Sequence, residues 1–180
     1  MLIVDIAETE YYDRVKEEFV EVKAVQLKLE HSLVAISKWE AKWEKPFIGN
    51  ADKTDEELYD YIECMVLNEE PINPLTFRFI SKSNIELINS YIKAPMTATT
   101  IKATKGKNSR RIITSELIYY WMISFSIPFE CQHWHLNRLM MLINVCDAQN
   151  TPAKKQSPKD ALAERRRLNE ARKAAMKSSG

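Results

Sequence analysis

Val25-Gln-Leu27-Lys-Leu29-Glu-His31 alternates apolar and polar residues without a break, which at period two sets Val25, Leu27 and Leu29 on one face of a strand. Directly afterwards the period lengthens. Leu33, Ile36, Trp39 and Trp43 follow at steps of three, three and four, the spacing of one helical stripe. A single element cannot carry both periods, so strand passes to helix at His31-Ser32. Ser32 is placed to cap the helix, and Pro46 and Gly49 stop it. Met1–Ile6 is a second short apolar run, and a small N-terminal sheet or hairpin follows from the two.

Three further helix starts carry a capping residue with a carboxylate three positions on: Thr54 with Glu57, Ser83 with Glu86, and Ser157 with Asp160, the last aided by Pro158. The Thr54 helix should turn Leu58, Tyr61, Ile62 and Met65 inward. The Ser83 helix should bury Ile85, Ile88, Tyr91 and Ile92 and end before Pro95. Residues 97–109 are small, polar and basic and read as an exposed loop. A helix from Thr114 or Ser115 is then broken at Ser126-Ile-Pro128, and a second, about 128–147, aligns His135, Leu139, Leu142 and Cys146. The two are expected as an antiparallel pair at the core. From 154 to 177 the only large apolar residues are Leu162, Leu168 and Met176. The expected architecture is mainly α, five or six helices with a small N-terminal β-sheet, in a globular domain over 1–150 and a basic helical or flexible arm over 151–180. A chain of 180 residues has room for one such core.

The net charge of +1 is a cancellation. Residues 1–70 hold 8 Lys/Arg and 18 Asp/Glu, 71–150 hold 9 and 4, and 151–180 hold 9 and 3. Such polarity points to charge-guided contact between copies or with a partner, and away from a uniformly basic nucleic-acid binder. The most apolar run, Ile112–Phe129, contains Glu116, Ser124, Ser126 and Pro128 and is no membrane span. Asp5, Glu8 and Glu10 leave no basic region for a signal peptide, so a cytoplasmic location is expected. Three widely spaced cysteines, Cys64, Cys131 and Cys146, do not form a disulfide framework and read as buried thiols.

Few residues suggest chemistry. Cys131 and His135 lie four apart, the spacing of one helix face, but no second pair completes a tetrahedral set, so no metal site is expected. Lys105-Gly-Lys107 lacks the glycine of a phosphate loop, with Ile101 in its place. There is no nucleophile elbow, and only Gly49, Gly106 and Gly180 are available for ligand loops. Glu116 and Glu130, in an apolar stretch, are the carboxylates whose pKa would rise. The reading is non-enzymatic, with no cofactor. Trp39 and Trp43, in a repeated Lys-Trp-Glu unit, are core anchors, or oligomer contacts if their face is open. Arg165, Arg166, Arg167, Arg172 and Lys173 on the arm bind phosphate backbones through charge, dock on an acidic surface such as the N-terminal third of a neighbouring copy, or merely solubilise.

The runs His31–Phe47 (HSLVAISKWEAKWEKPF), Ala94–Thr99 (APMTAT), Glu116–Met122 (ELIYYWM) and Ile127–Leu139 (IPFECQHWHLNRL) resemble a family of tailed-bacteriophage proteins encoded among the tail genes, the tail assembly chaperones. The resemblance runs over most of the chain, including its basic end. It implies a protein made in the host bacterial cytoplasm that escorts the tape-measure protein while tail subunits polymerise around it. It also implies a longer form made by ribosomal frameshifting in many members. The alternatives are a structural or connector protein retained in the virion, and a nucleic-acid-binding module acting through the arm.

Overall fold

The computed structural model describes residues 1–14, 17–49, 53–100, 112–150 and 158–175. They divide into two compact units, Met1–Asp147 and Ala148–Gly180. The fold is broadly α+β, with two small antiparallel strand pairs and six α-helices among the described residues.

The first strand, β1 (Leu2–Ile6), pairs with β4 (Val25–Leu29), and β2 (Thr9–Asp13) pairs with β3 (Glu18–Val22). Ile6 faces Val25 and Thr9 faces Val22, so one register runs through both pairs. They are the two halves of a single ribbon, interrupted between Ile6 and Thr9 on one side and Val22 and Val25 on the other. The interruption turns the ribbon over. In the basal half Val4, Ile6, Leu27 and Leu29 are buried, as the alternation requires. Unbroken alternation would carry that face on through Glu10, Tyr12, Phe19 and Glu21, yet all four are exposed, while Val22, on the opposite face, is 1% exposed.

Helix α1 (Leu33–Trp43) begins where the period changes, with the Ser32 hydroxyl accepting from the Ala35 N–H at 3.2 Å. Helix α2 (Asp55–Cys64) starts at the expected capping box: Thr54 Oγ1 accepts from the Glu57 N–H, and Glu57 Oε2 accepts from the Thr54 N–H. Tyr61, Ile62 and Met65 are buried as expected, but Leu58 is 44% exposed. Helix α3 (Lys82–Lys93) starts two residues before the sequence-based position, because Ser81 rather than Ser83 caps it, accepting from the Asn84 N–H. Helix α4 (Ser115–Ser124) begins where expected. The second apolar helix does not start at Pro128. A 3-10 turn, Phe129–His133, comes first, and α5 runs Leu136–Asn150. A second 3-10 turn, Pro74–Phe79, precedes α3. The core of the first unit is built by Val4 and Ile6, Leu27 and Leu29, Leu33, Ile36 and Trp39, Tyr61 and Met65, Ile88, Ile118 and Met122, and Leu139 and Ile143, so both strands of the ribbon base and α1 to α5 meet in one cluster.

In the second unit, helix α6 runs Pro158–Ala175. Ser157, expected as its cap, lies outside the described residues, as does the expected basic loop from residue 101 onward.

Candidate protein-interaction site

The two tryptophans of the Lys-Trp-Glu repeat stitch α1 to α2. Trp39 is 0% exposed, and its indole N–H donates to the Glu57 backbone carbonyl at 2.8 Å. Trp43 is half-buried, donates to Asp60 Oδ2 at 2.7 Å, and shares that carboxylate with Lys42 at 2.5 Å. Lys45 pairs with Glu57 Oε1 at 2.5 Å. The Lys45 ammonium, then the Thr54 backbone N–H, hold the Glu57 carboxyl below the usual range. Trp39 is thereby corrected as a contact residue: its surface is spent inside the fold. Trp43 keeps part of its ring at the surface.

Glu40, between the tryptophans, points the other way and is buried. Oε1 accepts from the Phe47 N–H and Oε2 from the Ser115 N–H, each at 2.7 Å. A carboxylate from α1 thus satisfies the first turn of α4, where an anion is also favoured by the helix dipole. Thr114 makes no side-chain capping bond there. Glu116, expected to have a raised pKa, has a lowered one, held down by its own backbone N–H and then by the Thr114 hydroxyl.

Cys131 and His135 do not share a helix face, since Cys131 belongs to the 3-10 turn and His135 precedes α5. Cys131 is a buried free thiol. His135 Nε2–H donates to the Tyr91 carbonyl at 3.0 Å, and its Nδ1 accepts from the Asn137 N–H at 3.3 Å, which defines a neutral ring. The His31 ring lies 5.0 Å from it, edge to face, and is hydrogen-bonded through Nδ1 to the Tyr61 hydroxyl. Burial, and then the neighbouring His135, push the pKa of His31 down to about 3. Glu30 completes this polar core, accepting from the Tyr91 hydroxyl and pairing with the N-terminal ammonium, both at 2.6 Å. Among the described residues no group of three or more His, Cys, Asp or Glu side chains is placed to hold a metal ion.

Two open surfaces among the described residues present aromatic side chains. The first is a cleft of about 430 Å³ flanked by α4 and α5, with Tyr120, Trp121, Phe125, Met140 and Ile143 among its walls and Asn144 and Asp147 at one side. The two helices share the core through Ile118, Met122, Leu139 and Ile143, but they flank this trough instead of closing on each other as a simple pair. Tyr120 is 61% exposed on its lip. The second is the outer face of the distal ribbon, where the Tyr12 and Phe19 rings lie 5.0 Å apart. Arg165, Arg166, Arg167, Arg172 and Lys173 are all exposed on α6. The arm cations are therefore at the surface, as the sequence required, whereas both the trough and the aromatic ribbon face went unread. The ribbon face had a signal, the interleaving of Glu10, Tyr12, Phe19 and Glu21. The trough had none, because it depends on where two helices come to lie.

No protein-family model matches the chain, and no curated protein or solved structure matches it. No helix among the described residues is long and apolar enough to cross a membrane.

Proposed function

We propose that this chain is a non-enzymatic tail assembly chaperone of a tailed bacteriophage, working in the host cytoplasm and binding the tape-measure protein through the cleft flanked by α4 and α5. The resemblance of its sequence runs supports the family. The observation that carries the binding mode is the trough itself, with aromatic and aliphatic walls and polar groups at one side. Such a trough suits the apolar stripe of an amphipathic helix, read as anchors at i, i+3 or i+4, and i+7. A long helical client offers that stripe repeatedly, so many copies can coat it. The distinctive run Glu116–Met122 falls on α4 and supplies Tyr120 and Trp121 to the trough, while Ile127–Leu139 ends just before Met140 on the opposite wall.

Co-expression with the cognate tape-measure protein tests this, with recovery of a complex as the expected result. Tyr120→Glu places a charge on the lip without touching the core, so it should abolish co-purification while leaving the urea midpoint unchanged. Failure of the unaltered chain to recover the client would overturn the reading. Mass spectrometry of purified particles is the second arm: a chaperone is missing from mature tails, and its presence there would establish the virion structural role instead.

A further inference from the structure

The outer face of the distal ribbon carries two features that an isolated hairpin does not favour. Glu10 and Glu21 are directly opposed across the strands, and like charges in that position destabilise a ribbon. One step along the same face, Tyr12 opposes Phe19, and Phe19 is 71% exposed. Residues 7–24 contain six carboxylates against three basic side chains. The face is thus an exposed aromatic pair beside an unbalanced acidic pair, and its complement is an apolar group flanked by cations.

Helix α6 has that composition. Arg165, Leu168 and Arg172 stand three and four residues apart, on one side of the helix, and Leu162 and Leu168 are 56% and 53% exposed. Over Pro158–Ala175 there are six basic residues and three acidic ones. The spacing also fits. Neighbouring pairs on one ribbon face lie about 7 Å apart, and Arg165 precedes Leu168 by about 4.5 Å along the axis, a difference within the reach of a guanidinium. Arginine is also the cation that grips carboxylates through two parallel hydrogen bonds.

We infer that the acidic, aromatic face of the ribbon, centred on Glu10, Tyr12, Phe19 and Glu21, receives the basic face of α6 from a second copy of this chain. Both surfaces are exposed in one chain. Because donor and acceptor surfaces differ, each copy has one of each, and the contact is heterologous: it propagates as an open string unless rotation closes a ring. The contact stands on charge and exposed apolar surface alone and does not depend on the identity of any client.

Sedimentation velocity on the full chain, over a hundredfold range of concentration, is the test. The unaltered chain should form a concentration-dependent ladder of species, weakened by roughly tenfold or more on passing from low to high salt. E10K/E21K and R165E/R172E should each sediment as monomers. Mixed one to one, they should recover the ladder as an alternating string, since the intact arm of one fits the intact ribbon of the other and their two reversed surfaces are likewise complementary. A chain carrying all four reversals should recover the ladder. A monomeric unaltered chain at every concentration, association untouched by R165E/R172E, or a mixture that stays monomeric would each overturn the inference. If E10K/E21K fails to fold by circular dichroism, R165E/R172E alone decides, because it alters only exposed side chains of α6 and must still lose the ladder.

Discussion

At the scale of single residues the repeated Lys-Trp-Glu unit shows how much a pattern leaves open. Two tryptophans four apart are equivalent in sequence, but the structure buries Trp39 completely and leaves Trp43 at the edge. Trp39→Phe keeps most of the ring contact but leaves the Glu57 carbonyl without its indole donor in a buried site, at a cost of about 1–3 kcal/mol. Trp43→Phe, whose partner Asp60 retains Lys42 and solvent, should cost under about 1 kcal/mol. Urea midpoints of the two variants check the difference, and equal losses would contradict this assignment of inside and outside. Glu40 is the stronger case, since one buried carboxylate serves two backbone N–H groups on separate segments. Glu40→Ala orphans both, at about 1–3 kcal/mol each. Glu40→Gln keeps an acceptor for one of them and should fall between the alanine variant and the unaltered chain in the same titration.

Elements were legible where the signal is local. The switch of period at Ser32 and the capping box at Thr54 rest on residues close together in the sequence, and the structure has both of them. Legibility failed where two local signals compete or where the deciding group is remote. Ser81 and Ser83 are both competent caps, and it is Ser81 that accepts from the Asn84 N–H. The 3-10 turn at Phe129–His133 is an interruption that the apolar spacing does not reveal. His135 is held by the Tyr91 carbonyl from another element, and Ser115 by Glu40. The junction that joins β4 and α1 to α3 and α5 also determines how stability depends on acidity. His31 and His135 are neutral in the fold, with pKa values below the ordinary 6.5, and they face Glu30, Tyr61, Tyr91 and the N-terminal ammonium. Between pH 6.5 and about 3 the unfolded chain binds protons that the folded chain refuses. Stability is therefore full above pH 6.5 and falls as pH drops through that window, by about 1.4 kcal/mol per pH unit for His31 alone. The upper part of the window lies above the ordinary carboxylate range, so the two histidines dominate there. Urea titrations at several pH values from 7.5 to 5 should show the midpoint falling below about pH 6.5; a flat profile would mean that the rings are not held neutral.

For the whole molecule, the charge cancellation acquires a location. The acidic third includes a ribbon whose distal half turns Glu10, Glu21, Tyr12 and Phe19 outward, and the basic end includes a helix that carries Arg165, Arg166, Arg167, Arg172 and Lys173 at the surface. A stabilising role for that helix would require it to contribute to the hydrophobic cluster, and among the described residues none of the cluster lies beyond Cys146. The described residues of that cluster come from the ribbon base, α1 to α5 and the segments that join them, so the cost of removing residues 151–180 should be small. A chain ending at Asn150 is expected to unfold cooperatively, with a urea midpoint and slope close to those of the full chain, because the slope follows the surface exposed on unfolding and the core contributes most of it. The same truncation removes every arm cation, so it should lose the salt-sensitive association while retaining Trp121, Phe125 and Met140 around the trough. Stability and client binding that survive together, with self-association lost, would separate the two surfaces by function. A collapse of the midpoint on truncation would instead make α6 part of the folding unit and remove the basis for assigning its basic face to a neighbouring copy.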